Sequence, residues 1–333
     1  MPFLYVVEHG STLRVSGEQI VVEKEGETLL EVELPTLVSV VILASVQITS
    51  QALAAMLKAG VELAIVTANG RLLGQLTPPL ARNQAIRVAQ FERESDAEFV
   101  LRQCRAIVAT KCANQRNVLV RHTSLESGGQ AEVTAAAEAI ERHLRPIGQA
   151  QSVGQLMGIE GACAAAYWGV FGRLLRAEGV SFPGRQSRPP RDPVNAALSL
   201  GYTLLGNMMT SILDAYGFDP FIGFMHEETY GHPALALDLV EPFRAPVVDR
   251  MVLRLFNLGM LKPDDFAPEG DEGGLRMDDD ALRLFFREWE RALAQHGLRE
   301  AIKAQAEQLA RVFRGEQETL EPWSWHYREG RGG

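Results

Sequence analysis

Residues 71–90, RLLGQLTPPLARNQAIRVAQ, contain the point at which the pattern of the sequence changes. Before Pro78 and Pro79 the chain consists of short runs rich in Val, Leu and Ile, separated by glycines, which is typical of strands and hairpin turns. After them, long stretches without Gly or Pro indicate helices. The two prolines therefore predict a linker, residues 78–84, between a small β-rich domain, residues 1–77, and a larger all-α domain, residues 85–333.

The N-terminal domain is predicted to contain several strands and one helix. LVSVVILA (37–44) is a continuous apolar run, which indicates a buried strand. ITSQALAAMLKAG (48–60) changes to helical spacing, and Thr49 or Ser50 can cap the helix that it forms. We therefore expect an α+β fold, with a small N-terminal β-rich domain followed by a larger all-α domain.

The composition is that of a globular protein of 333 residues, with 46% hydrophobic and 23% charged side chains. No apolar run reaches the ~18 residues that a membrane span needs. The N-terminus, MPFLYVVEHG, lacks the basic and apolar pattern of a signal peptide. The three cysteines form no CxxC pair, and their odd number argues against a disulfide framework. We therefore expect a cytoplasmic protein without a membrane span.

The charge is unevenly distributed along the chain. The net charge of −9 argues against a nucleic-acid partner, but residues 78–200 carry fifteen basic and eleven acidic side chains, a net charge of +4. Residues 101–122 hold five basic side chains and no acid, and residues 171–191 hold five against Glu178 alone. Such clusters arise either from a phosphate-binding face or from an ordinary solvated helix surface.

Residues 221–244, FIGFMHEETYGHPALALDLVEPFR, place ionisable side chains among apolar ones. Asp238 and Glu241 lie three residues apart on a predicted helix, so they share a face that is otherwise apolar. Two carboxylates on a buried face repel each other unless a cation lies between them. His226 precedes the helix and can supply a neutral nitrogen. Carboxylate and imidazole ligands indicate Mg²⁺ or Mn²⁺ rather than a structural zinc site.

A fourth candidate is Glu160, which stands among small residues in GIEGACAAAYWGVFGRLL (158–175). It is either a ligand contributed by another helix or a glutamate near a helix N-terminus, where the helix dipole favours it. The other candidates also have ordinary explanations. His226 can be a packed or surface histidine, Asp238 can face solvent, and Glu241 can belong to a helix bend.

Four motifs occur in an order that resembles the CRISPR-associated integrase, the larger subunit of the machinery that captures new spacers. They are GIEGACAAAYW (158–168), RPPRDPVNAALSLGYTLL (188–205), GFDPFIGFMH (217–226) and LALDLVEPFR (235–244). The resemblance extends from the β-rich start of the chain to about residue 266. It implies a sandwich-like N-terminal domain that pairs two copies into a homodimer, and an all-helical catalytic domain.

The resemblance also implies functional residues. The metal ligands are Glu160, His226 and Glu241, and Asp238 matches an accessory acid. The residues implied to contact DNA or to line the site are Arg82, Asn83, Arg87, Tyr167 and Asn195. Relatives often carry an arginine soon after the GxEG glutamate, where this chain has alanines at 164–166. If that arginine contacts DNA, the contact must come from another basic residue, with Arg173, Arg185, Arg188 and Arg191 as the candidates.

The activity implied by the resemblance is metal-dependent transesterification on DNA. A 3′-hydroxyl of a captured duplex fragment attacks a phosphodiester at the leader end of a repeat array, and water as the nucleophile gives endonuclease activity. The implied partner is a small ferredoxin-like subunit that bridges two dimers into a heterohexamer. Two other functions stay open: a stand-alone metal-dependent nuclease acting on branched DNA repair intermediates, and a non-catalytic helical scaffold.

Overall fold

The chain forms two compact units in the computed structural model, which describes residues 3–67, 72–77, 84–124, 131–186, 189–226, 233–269, 274–295 and 297–326. The first unit comprises residues 1–80 and 276–287, and the second comprises residues 81–275 and 288–333. The division near residue 80 falls inside the predicted linker. Residues 276–287 differ from the prediction, which placed them in the helical domain. They belong to the first unit because Arg283 pairs with Glu8 and the Phe286 ring stacks on Tyr5 at 4.4 Å.

Two four-stranded sheets form the first unit. Their strands are β1 (Phe3–Val6), β2 (Thr12–Ser16), β3 (Gln19–Lys24), β4 (Glu27–Glu33), β5 (Ser39–Ile42), β6 (Gln47–Ile48), β7 (Glu62–Val66) and β8 (Leu72–Leu76). One sheet has the order β1-β5-β7-β8, with β8 antiparallel to its neighbour and the other pairs parallel. The other has the order β4-β3-β2-β6, with only the β2/β6 pair parallel.

The core of the first unit lies where both sheets and α1 (Ser50–Lys58) contribute apolar side chains to one buried cluster. The predicted cap of α1 is confirmed at Thr49, whose hydroxyl accepts the N–H of Ala52 at 3.2 Å. Two edge strands also have exposed apolar side chains, which are Leu29 and Leu30 on β4 and Leu73 on β8.

The second unit is mainly helical, which confirms the predicted α+β fold class. Its helices are α2 (Gln84–Glu94), α3 (Ala97–Ser124), α4 (Ala131–Leu144), α5 (Val153–Phe171), α6 (Pro193–Tyr216), α7 (Ala234–Phe243), α8 (Arg250–Asn257) and α10 (Leu298–Phe313), and α9 (Asp279–Gln295) is divided between the two units. The domain predicted as all-α also contains a short hairpin, β9 (Phe266–Glu269) and β10 (Gly274–Met277).

Helix α6 and the junction between α7 and α8 each have an unusual feature. Among the described residues, α6 has the length and apolar composition of a membrane span, but 67% of its most apolar window is buried, so it is a core helix. The helix that begins with α7 passes through a π-helical turn, Arg244–Asp249, directly into α8. Pro242 and Pro246 explain this irregularity, because each removes a backbone N–H from the helical ladder.

Candidate metal centre

The structure brings the three predicted metal ligands together. Glu160 lies on α5, Glu241 lies on α7, and His226 ends the described part of the loop that follows α6. The Nζ atom of Lys111, on α3, lies 2.5 Å from Glu160 Oε1 and 2.6 Å from Glu241 Oε2, so these carboxylate oxygens are separated by no more than the sum of the two distances. His226 Nε2 lies 4.0 Å from Glu241 Oε1.

Glu241 is the most deeply buried of the three, with 3% of its side chain exposed. Burial raises the pKa of Glu241, but the neighbouring cations Arg244 and Lys111 outweigh burial and lower this pKa to about 2. The Arg244 Nη1 atom lies 3.3 Å from Glu241 Oε1. The other oxygen, Oε2, is buried and pairs with the Lys111 ammonium at 2.6 Å.

Asp238 contacts His226 and the loop before it, and the suggestion that it is a further metal ligand stays a prediction. Its side chain is fully buried, and both oxygens accept hydrogen bonds. Oδ2 accepts the N–H groups of Phe224 at 2.5 Å and Met225 at 3.0 Å, and Oδ1 accepts the backbone N–H of His226 at 3.3 Å. Oδ1 also lies 2.5 Å from His226 Nδ1, and this hydrogen bond to Asp238 outweighs burial and raises the pKa of His226.

Lys111 is part of the site, although the sequence indicated only that it belongs to a basic cluster. Burial lowers the pKa of Lys111, but Glu241 and Glu160 outweigh burial and raise it, so the side chain is a cation at neutral pH. The signal that identifies it lies in the fold rather than in the sequence, because α3 carries Lys111 between α5 and α7.

The side chains present fit a hard divalent cation. Two carboxylates and an imidazole nitrogen are donors that Mg²⁺ and Mn²⁺ accept. Within the described ranges, no group of three or more His, Cys, Asp or Glu side chains closes around a single point. The Lys111 ammonium lies between the two glutamates.

Two of the residues expected to line the site are structural instead. Tyr167 is fully buried and donates a hydrogen bond to Asp249 Oδ2 at 2.9 Å, and the hydroxyl of Tyr202 bonds the other oxygen of the same carboxylate. Asn195 is fully buried in the first turn of α6, where its amide donates to Gly184 O at 2.8 Å. We therefore no longer assign a DNA contact to Tyr167 or Asn195.

The basic residues expected to contact DNA differ in their surroundings. Arg185 is turned inward, where it donates to Asn195 Oδ1 at 2.8 Å and lies over the Tyr202 ring, so it does not present a free cation to DNA. Arg87 is half-buried on α2, Arg191 is exposed, and Arg173 is exposed and paired with a glutamate on α4. Arg82, Asn83 and Arg188 lie outside the described residues.

The basic cluster of residues 101–122 is mostly an ordinary helix surface. Arg102 pairs with Glu98 one turn away, and Arg116 pairs with Glu141 at 2.8 Å. Arg105 donates to a backbone carbonyl, that of Ala150, at 2.6 Å. These three arginines are therefore half-buried and already held by groups of the same unit.

The C-terminal segment, residues 318–325, is held against α3. Three amide side chains of α3 form hydrogen bonds with the backbone of this segment. Gln103 donates to Glu318 O and accepts from Leu320 N, and Asn114 donates to Trp323 O and accepts from Trp325 N. Asn117 donates to Trp325 O. The Trp323 ring stacks on Phe243 with centroids 5.0 Å apart. Asn114 also donates to Pro242 O at 2.7 Å, so this packing reaches the residue next to Glu241.

Comparison with known proteins identifies the family. The profile of the family described as "CRISPR associated protein Cas1" matches residues 4–291. The chain is 33% identical to the "CRISPR-associated endonuclease Cas1 2" of Rhodospirillum rubrum, over 97% of this chain and 98% of that protein. It is also 33% identical to the "CRISPR-associated endonuclease Cas1 3" of Thermus thermophilus, with 96% of each covered.

Solved structures share the fold. A CAS1 protein from Thermotoga maritima superposes with a TM-score of 0.82 at 24% identity, covering 99% of this chain and 100% of that one. A chain of a Cas6-RT-Cas1–Cas2 complex gives a TM-score of 0.85 at 25% identity, covering 98% of this chain and 36% of that one. A casposase bound to integration product gives 0.83 at 23% identity, covering 96% and 93%. The chain belongs to the Cas1 family, the endonucleases and integrases of CRISPR adaptation.

Proposed function

We propose that this chain joins the 3′-OH ends of captured foreign DNA to a CRISPR repeat array, using Glu160, His226 and Glu241 to hold a divalent metal ion, Mg²⁺ or Mn²⁺. Nucleases of the Cas1 family are generally metal-dependent. The observation that carries the proposal is the convergence of two glutamates and an imidazole from three separate segments around one ammonium group.

The residues around this centre have separate tasks in the proposed reaction. Asp238 keeps the Nδ1 proton of His226 in place, so that Nε2 stays available as a ligand. Glu241 is ionised at neutral pH because its pKa is about 2. Arg244 stays beside Glu241 and adds positive charge where a DNA phosphate approaches. A bound divalent ion supplies charge neutralisation at the scissile phosphate and activates the attacking hydroxyl.

Binding of DNA to this chain is proposed to depend on basic side chains of the second unit. Arg173 and Arg191 are exposed, and Arg82, Arg87 and Arg188 complete the set of candidate contacts. Because such contacts are made to phosphates, affinity should fall steeply with salt and depend little on sequence. The names of the neighbours, a Cas6-RT-Cas1–Cas2 complex and a casposase on its integration product, support a Cas partner and a DNA substrate.

The proposed assembly is a cytoplasmic homodimer that pairs through the β-rich unit. Apolar side chains on the edge strands of both sheets are exposed, and they support this interface: Leu29 and Leu30 on β4, and Leu73 and Leu76 on β8. A small ferredoxin-like CRISPR subunit is the proposed partner that bridges two dimers into a heterohexamer.

The test is a joining assay. A labelled duplex with free 3′-OH ends is incubated with a supercoiled plasmid carrying the repeat array, the partner subunit and Mn²⁺. Wild-type protein should give labelled plasmid, and Glu160→Gln should give none while still binding the duplex. Glu138→Gln, an exposed glutamate on α4, is the matched control and should join DNA normally.

Two outcomes would contradict the proposal. Cleavage of branched DNA without any joining would favour a stand-alone nuclease. Joining or cleavage that Glu160→Gln leaves unchanged would remove the proposed centre and favour the scaffold alternative, in which the carboxylates make only salt bridges.

A further inference from the structure

Lys111 occupies the place between the two glutamates that a metal ion would need. Its Nζ atom is 2.5 Å from Glu160 Oε1 and 2.6 Å from Glu241 Oε2, so one ammonium group bridges carboxylates from two helices. The Lys111 side chain is 14% exposed, compared with 17% for Glu160 and 3% for Glu241. The bridge is therefore largely shielded from solvent, where ion pairs are screened little.

The backbone of α3 fixes the position of Lys111 relative to Glu241. Asn114, one helical turn after Lys111, donates a hydrogen bond of 2.7 Å to the carbonyl of Pro242. Residues three apart on a helix share a face, so Lys111 and Asn114 both point at the end of α7. The fold therefore places the Lys111 ammonium at the two carboxylates, whereas a flexible surface lysine would have no fixed position.

We propose that Lys111 is a built-in counter-ion that holds Glu160 and Glu241 in place in the metal-free protein and is displaced when a divalent cation binds. This inference rests on the metal centre proposed above. Lys111 is thus a positioning residue that competes with the metal, and its presence weakens metal affinity.

The physical reason is the cost of two neighbouring buried carboxylates. Without a cation between them they repel each other, and each loses solvation without compensation. Lysine suits this task because its charge is compact and sits on a flexible stem of four carbons, so the ammonium can leave without moving α3. Arg244 does not compete for the same position, because it pairs with the other oxygen of Glu241, Oε1.

The test is a Mn²⁺ titration of the metal-free protein without DNA, followed by electron paramagnetic resonance. Lys111→Met keeps the length of the side chain and removes its charge. The expected result is Mn²⁺ binding that is tighter on the order of tenfold, because a unit positive charge at the site no longer opposes the metal cation. The metal-free variant should melt at a lower temperature than metal-free wild type. Saturating Mn²⁺ should raise the Tm of the variant by more than it raises the Tm of wild type. An unchanged or weaker Mn²⁺ affinity would overturn the inference.

Lys303→Met is the matched control, because Lys303 is exposed on α10, and its Mn²⁺ affinity should equal that of wild type. Glu160→Gln separates the inference from the metal centre on which it rests. If Glu160→Gln binds Mn²⁺ as well as wild type, the proposed centre fails and the inference fails with it. If it binds weakly but Lys111→Met gains nothing, only the inference fails.

A second measurement uses the unmodified chain, so it does not depend on whether the variant folds. Wild-type protein is treated with formaldehyde and a mild reductant, with and without Mg²⁺, and dimethylation of each lysine is measured by mass spectrometry. Lys111 should become more reactive when Mg²⁺ is present, and Lys303 should not change. Lys111 labelling that does not rise with Mg²⁺ would overturn the displacement.

Discussion

Replacing Asp238 by Asn tests whether this buried carboxylate positions the histidine of the site. The substitution keeps the shape of the side chain but removes its charge. Asp238 is fully buried and receives four hydrogen bonds, from the backbone N–H groups of residues 224, 225 and 226 and from His226 Nδ1. An amide can accept at one end only, so its NH₂ group must face at least one of these donors.

The expected cost follows from these contacts. A hydrogen bond to a charged group contributes about 1.5–3 kcal/mol to stability, compared with about 0.5–1.5 kcal/mol for a neutral pair. Weakening four bonds, with Phe224 N and His226 Nδ1 both at 2.5 Å from the carboxylate, gives a loss of about 3 kcal/mol in the free energy of unfolding. Because the His226 ring is no longer fixed, we expect Mn²⁺ affinity to fall by about 10- to 100-fold.

Three measurements check the Asp238→Asn prediction: urea unfolding, Mn²⁺ titration, and nitrogen NMR of the imidazole in metal-free protein. Wild type should show His226 protonated on Nδ1, and the variant should show a mixture of tautomers. Asp278→Asn is the control, since Asp278 also accepts a backbone N–H, that of Ala281 at 2.8 Å, but belongs to the first unit. If Asp238→Asn loses stability but keeps its Mn²⁺ affinity and a single His226 tautomer, the positioning role is refuted.

Three further predictions concern the framework around the site. Burial raises the pKa of Asp249 to about 6, although its two tyrosine partners lower it, so folding favours the protonated acid. As the pH rises from 4 to 6, wild type should lose about 2 kcal/mol of unfolding free energy relative to Asp249→Asn, as measured by urea unfolding at each pH. Trp323→Ala should lower the free energy of unfolding by about 2 kcal/mol and reduce DNA joining, and unchanged values of both would contradict the packing of the C-terminal segment. In α6, Gly201→Ala should destabilise the protein by about 1–3 kcal/mol, because the added Cβ would lie 2.5 Å from Val248 Cγ1. Gly206→Ala should stabilise the protein by up to about 1 kcal/mol, because its Cβ would meet nothing within 4 Å. Thermal unfolding measures both.

The sequence predicted the local elements of the fold well, because they depend on local chemistry. The helix after Thr49 and the strand in residues 37–44 were found where apolar spacing and capping indicated them. The assignment of residues 276–287 to the first unit was not predictable, because it depends on the contact of Phe286 with Tyr5, far away in the chain. The hairpin of β9 and β10 was missed because its strands have only four residues each.

The candidate site was predictable only where the sequence repeats a known motif. Glu160, His226 and Glu241 were predicted and do lie together. Lys111 was not predicted as part of the site, because a lysine in a basic helix has the same pattern whether it faces solvent or carboxylates. The family resemblance implied that Tyr167 lines the site, but its ring is buried and its hydroxyl bonds Asp249.

One face of α3 connects these observations. Lys111, Asn114 and Asn117 are three residues apart, so their side chains form a row along one side of the helix. Lys111 holds the two glutamates, Asn114 holds Pro242 O and the backbone of Trp325, and Asn117 holds Trp325 O. A displacement of the C-terminal segment therefore acts on the same rigid helix that sets the spacing of Glu160 and Glu241. For this reason a substitution at the C-terminal segment, far from the carboxylates in sequence, should change metal binding and stability together.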